Sequence, residues 1–148
     1  MMGILALLLS AGTLMTSGDT LVDVRPGDRL VLEGFSGTVH VESWDRSTMS
    51  LEAEAEESVL FIVNRSGNRL EVQVQDDKGR VRMEELRVVL PPWMNLEFSG
   101  RELEAEVWGV EGDVGIQNIQ GDISLRDLGG EVRASTSQGR IEAWNLSG

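Results

Sequence analysis

The stretch GDVGIQNIQGDISLRDLGGEVRASTSQGRIEAWNLSG, residues 112–148, places glycine at 112, 121, 130, 139 and 148, one every nine residues. Numbered from each glycine, position 3 is Val114, Ile123, Val132 and Ile141, and position 5 is Ile116, Leu125, Ala134 and Ala143. Position 8 is Ile119, Leu128, Ser137 and Leu146, while positions 2, 4 and 9 are mostly polar. Each unit thus reads as a short strand with two inward side chains, a corner at positions 6 and 7, and a third inward residue. The corner residues Asn118, Asp127, Thr136 and Asn145 have short polar side chains that bond to nearby backbone and suit turns. The glycine marks a second bend, where a side chain would collide or φ turns positive.

The pattern runs backwards without its glycine. Leu96 and Phe98, then Ala105, Val107 and Val110, fall on the same positions, and only Arg101 breaks the series. One nine-residue unit cannot bury its apolar side, but stacked units can, and a fixed period is the mark of a solenoid. Two units per coil give about 18 residues per rung, with rungs at 94–111, 112–129 and 130–147. The predicted inward columns are Leu96/Val114/Val132, Phe98/Ile116/Ala134, Ala105/Ile123/Ile141, Val107/Leu125/Ala143 and Val110/Leu128/Leu146. An antiparallel meander with regular turns also fits nine residues per strand and turn. The near-constant unit length favours the parallel solenoid.

Upstream the period is two. RLVLEG at 29–34, GTVHVESW at 37–44, MSLEAEAE at 49–56, RLEVQVQ at 69–75 and LEAEVW at 103–108 alternate as half-buried strands do. VLFIV at 59–63 is continuously apolar, a strand covered on both faces. LRVVLPP at 86–92 is a strand ended by Pro91 and Pro92, which cannot donate ladder hydrogen bonds. RPGD at 25–28 is turn chemistry, and MEEL at 83–86 allows one helical turn at most. The expected fold class is all-β, a single-domain parallel β-solenoid over residues 19–148.

Composition excludes several functions. The 148 residues carry 13 Lys and Arg against 25 Asp and Glu, a net charge of −12, which repels nucleic-acid phosphates. With no cysteine there are no disulfides, thiol nucleophiles or thiolate metal sites. Residues 1–18, MMGILALLLSAGTLMTSG, have the apolar core and small-residue end of a secretory signal peptide cut near Gly18, although no Lys or Arg precedes the apolar run. The run is too short and too interrupted for a good transmembrane helix, so the mature chain is expected to have none. The expected location is extracytoplasmic: periplasm, cell surface or medium.

LVLEGFSGTVHVESWDR at 30–46, LRVVLPPWMNLEFSG at 86–100 and the Gly-Asp-Val/Ile repeats of 109–143 resemble the Toastrack family of adhesin-like bacterial envelope proteins. The resemblance covers about residues 20–148 and rests on small, apolar and turn residues, which specify fold better than activity. It implies a right-handed β-helix-like solenoid outside the cytoplasm, in adhesion or envelope-stress sensing, with no catalytic residues to transfer. Members of this kind run on for further repeats, whereas Gly148 opens a unit that does not follow, so the array is expected to end mid-repeat. An uncapped rung invites edge-to-edge self-association. A truncated fragment of a longer envelope protein is an alternative.

The nine-residue Gly/Asp beat also suggests calcium. However, the units GDISLRDLG and GEVRASTSQ lack the second and third glycines of the nonapeptide roll motif, and no unit has Asp at position 6. Asp113, Asp122 and Glu131 at position 2 read as solvated turn residues rather than as converging ligands. A carbohydrate-active β-helix enzyme would need paired carboxylates about 5–10 Å apart in a concave cleft, with Trp108 or Trp144 beside it; Asp122 and Asp127 qualify only by facing outward. His40 alternates outward and without partners is neither a metal site nor part of a triad. No nucleophile elbow or phosphate loop occurs. Of Trp44, Trp93, Trp108 and Trp144, the alternation turns Trp108 and Trp144 outward, and these are the candidate contacts for a glycan or an envelope protein. The expectation is a non-enzymatic adhesin-like binding or structural domain with no cofactor and no metal site.

Overall fold

The computed structural model describes residues 13–17, 20–54, 59–76 and 85–146. Most of the leader, Met83, Glu84 and Gly148 lie outside these residues. The described strands are β1 (Thr13–Ser17), β2 (Thr20–Asp23), β3 (Arg29–Ser43), β4 (Thr48–Glu54), β5 (Val59–Ser66) and β6 (Arg69–Asp76). They continue as β7 (Glu85–Leu90), β8 (Asn95–Trp108), β9 (Val114–Gln120), β10 (Ile123–Leu128), β11 (Val132–Gln138) and β12 (Ile141–Leu146). No helix occurs among the described residues, and the fold is all-β. The described parts of the period-two stretches, Trp44 apart, and the apolar run at 59–63 fall in strands, and Glu85 and Leu86 open β7 rather than a turn.

The two long strands β3 and β8 run parallel from Arg29↔Asn95 to Val41↔Val107, with register shifts around Phe35. They carry two limbs of one sheet. Their first halves continue through β6, β5 and β1 on one side and β9 and β11 on the other; their second halves continue through β7, β4 and β2 and through β10 and β12. The apolar sides of both limbs form one core, from Val22 and Phe61 through Leu86 and Phe98 to Leu128.

The expectation of parallel pairing holds for β3 with β6, β7 and β8 and for every pairing after β8. It fails for β1/β5, β5/β6, β2/β4 and β4/β7, which are antiparallel. For β5/β6 the connection explains this. β5 and β6 are joined by Gly67 and Asn68 alone, with Gly67 at φ 63°, and a two-residue turn can return a chain only antiparallel.

Beyond β8 the register repeats every 18 residues. Leu96 sits on Val114 and Val114 on Val132; Phe98, Ile116 and Ala134 stack likewise. On the other limb Ala105, Ile123 and Ile141 align, as do Val107, Leu125 and Ala143, and Leu128 pairs with Leu146. These are the columns that the nine-residue period predicts. In the coil 112–129, Val114, Ile116, Ile123, Leu125 and Leu128 are all buried, and each such side chain contributes roughly 1.5–3 kcal/mol of burial.

The corners are of two kinds, and this corrects the reading of position 8. At the first, Asn118 turns inward, donates to the Leu103 carbonyl (2.6 Å) and the Gln120 carbonyl (3.0 Å), and accepts from the Leu103 N–H (3.1 Å). With Asn118 in the inward slot, Ile119 points out and is 50% exposed. Arg101, its equivalent one coil earlier, therefore breaks no series: that position faces solvent. At the second corner Asp127 (φ 56°) and Asn145 (φ 53°) adopt the left-handed conformation, which Asn and Asp tolerate best after Gly. Leu128 can then point inward.

Candidate binding face

The outward side of the second limb carries the candidate contacts. Arg126 pairs in register with Trp108 on one side and Trp144 on the other, each 18 residues away. Strand spacing puts the two indoles about 9–10 Å apart, with the guanidinium between them at 5.0 and 5.1 Å from the ring centroids. Both tryptophans are 42% exposed. Each stacked contact with the cation is worth about 0.5–1 kcal/mol at an exposed site. Arg126 thus lies between the two rings on the sheet surface.

The neighbouring row of side chains runs Arg87, His40, Glu106, Ser124, Glu142 across β7, β3, β8, β10 and β12. His40 does not stand alone, as its position in an alternating strand suggested. Its Nε2 lies 2.6 Å from a Glu85 carboxylate oxygen and its Nδ1 3.1 Å from one of Glu106. The ring fills the space between these two carboxylates. Beside it His40, Glu42, Arg87, Glu106 and Trp108 line an open groove of about 310 Å³.

The other tryptophans serve the fold. The Trp44 indole N–H donates to the Thr48 carbonyl at 2.7 Å with Arg46 over its ring, and Trp93 packs against the core. The acidic residues at position 2 are not simply solvated. Asp113 accepts the Glu131 N–H at 3.1 Å and Asp122 the Arg140 N–H at 2.9 Å, while Asn95 does the same for Asp113 at 2.9 Å. Each side chain ties its strand to the backbone 18 residues on, so Asp113 and Asp122 are engaged by backbone as well as by solvent. Among the described residues no group of three or more His, Cys, Asp or Glu side chains is arranged to hold a metal ion.

Sequence reasoning found Trp108 and Trp144 but neither Arg126 between them nor the groove beside Trp108. Arg126 was detectable, since it lies one coil length from both rings. Glu42, Glu85 and Arg87 were not, because their neighbours are set by pairing between β3 and β7, distant in sequence.

No protein-family model matches the chain, and no curated protein matches it. Among solved structures, a candidate cell adhesion protein from Clostridium sporogenes is similar, with a TM-score of 0.50. The match covers 86% of this chain and 99% of that one at 9% sequence identity, a likeness of fold. No helix of the described residues is long and apolar enough to cross a membrane.

Proposed function

We propose that this chain is a non-enzymatic, adhesin-like binding module of the bacterial envelope, acting outside the cytoplasm through the outward face of β8, β10 and β12. The observation that carries the proposal is the Trp108–Arg126–Trp144 stack. Two large indoles held half-exposed by a cation are poor choices for a surface with no partner. The likeness of fold to a candidate cell adhesion protein and the Toastrack-like sequence pattern agree with it. In the same reading the stacked 18-residue coils are a short right-handed β-solenoid. The exposed edge of β11 and β12, with Ile141 and Leu146 uncovered, is its self-association surface.

The test is binding of the labelled chain to intact bacterial cells and isolated envelopes, with Trp108→Ala/Trp144→Ala as comparison after its fold is checked by circular dichroism. At least a tenfold loss is expected. Equal binding by the double variant would remove this face from the function.

One observation favours a second reading, a carbohydrate-active enzyme: the groove places Glu42 and Glu106 beside Trp108. Release of reducing ends from envelope polysaccharide, abolished in Glu106→Gln, would establish that reading and end the non-enzymatic one.

A further inference from the structure

We infer that the groove beside Trp108 is a seat for a neutral saccharide of one or two rings. The seat presupposes the binding-module reading of the same face and names its ligand class. Its volume of about 310 Å³ lies at the small end of the roughly 300–1,000 Å³ usual for small-molecule sites, so the occupant is a short glycan end rather than a buried chain.

The lining selects the chemistry. Glu42 and Glu106 present carboxylate acceptors and Arg87 presents guanidinium donors, all from the outward rows of β3, β7 and β8. Among the described residues neither Glu42 nor Arg87 is held in an ion pair, and only one oxygen of Glu106 is within reach of His40. An anionic ligand would meet the two carboxylates, and a cationic one would leave the Arg87 guanidinium without an acceptor. A hydroxyl both donates and accepts, so a neutral polyol satisfies acids and guanidinium together. Trp108 supplies the flat apolar wall. Arg126 covers it from the β10 side, and the groove opens on the β3 side, where the C–H face of a sugar ring can lie against the indole. His40, tied between Glu85 and Glu106, fixes the groove floor and holds Glu106 in place.

The test is ligand-observed NMR and calorimetry of the full chain against a panel of neutral mono- and disaccharides: glucose, galactose, mannose, N-acetylglucosamine and their β-linked dimers. We expect at least one to bind, with Trp108→Ala and Glu42→Gln each weakening it at least tenfold and Trp108→Phe much less. Ile119→Ser, exposed and outside the groove, should leave sugar affinity unchanged, whereas Trp144→Ala should reduce envelope binding. Hydrolysis of a bound sugar would keep the seat and overturn the non-enzymatic reading. Absence of binding across the panel, or binding indifferent to Trp108→Ala, overturns the saccharide seat. If envelope binding still depends on Trp108 and Trp144 in that case, the binding-module reading stands with a different ligand.

Discussion

A Cβ on Gly112 would be driven into the carbonyl oxygen of Met94, and one on Gly139 into that of Gly121, each the residue 18 positions earlier. The glycine beat is therefore set by one coil lying against the next. At Gly112 no unusual backbone angle is involved, whereas Gly121 has φ 133° as well as the clash with Leu103. Gly112→Ala should cost about 1–3 kcal/mol, as overpacking against backbone does. Gly115→Ala, whose new carbon would find its nearest neighbour at 4.0 Å, should change stability by less than about 0.5 kcal/mol. Urea denaturation of the two variants checks the contrast, and equal midpoints would refute it. The beat itself is plain in the sequence. Which of collision and backbone angle imposes it is not, because the colliding carbonyl belongs to another coil.

Leu128 and Leu146 occupy one column and differ only in what covers them. Leu128 is 1% exposed beneath β12, while Leu146 in the last strand is 42% exposed. Leu128→Ala should cost about 2–5 kcal/mol, the range for a buried leucine, and Leu146→Ala less than half of that. Amide exchange should follow the same gradient, slowest in β9 and β10 and fastest in β11 and β12, since those strands lack a partner on one side among the described residues. Uniform protection from β9 to β12 would mean that another strand covers that edge. The columns are legible because alternation and an 18-residue register leave few other arrangements. The inward turn of Asn118 is less so: a buried asparagine is stable only if its amide finds partners, and those are the backbone of Leu103 and Gln120, the former 15 residues earlier.

At the scale of the whole molecule, a buried ion pair ties the β5–β6 hairpin to the turn that opens β3. Asp28, which the RPGD turn places next to β3, takes both guanidinium nitrogens of Arg65 at 2.9 and 3.1 Å and also accepts the Arg25 N–H at 2.9 Å. The two side chains are 3% and 10% exposed. Arg65→Met keeps the stem but leaves the carboxylate buried and uncompensated, so a loss of about 3–5 kcal/mol is expected. Asp28→Asn with Arg65→Met should recover part of it, and chemical denaturation of the three variants reads the coupling. Strict additivity would show that the pair does not couple the hairpin to that turn.

The sequence by itself determined the all-β class, the 18-residue register, the columns aligned along it and the outward direction of Trp108 and Trp144. These follow from local alternation and a fixed period, which act within a strand and its nearest coil. Tertiary structure alone decided the antiparallel pairing of β4 with β7, the partners of His40 and the groove beside Trp108. Each depends on which distant strand lies next to β3, and that choice is made by the shared core, where contacts between segments far apart in sequence leave no periodic trace.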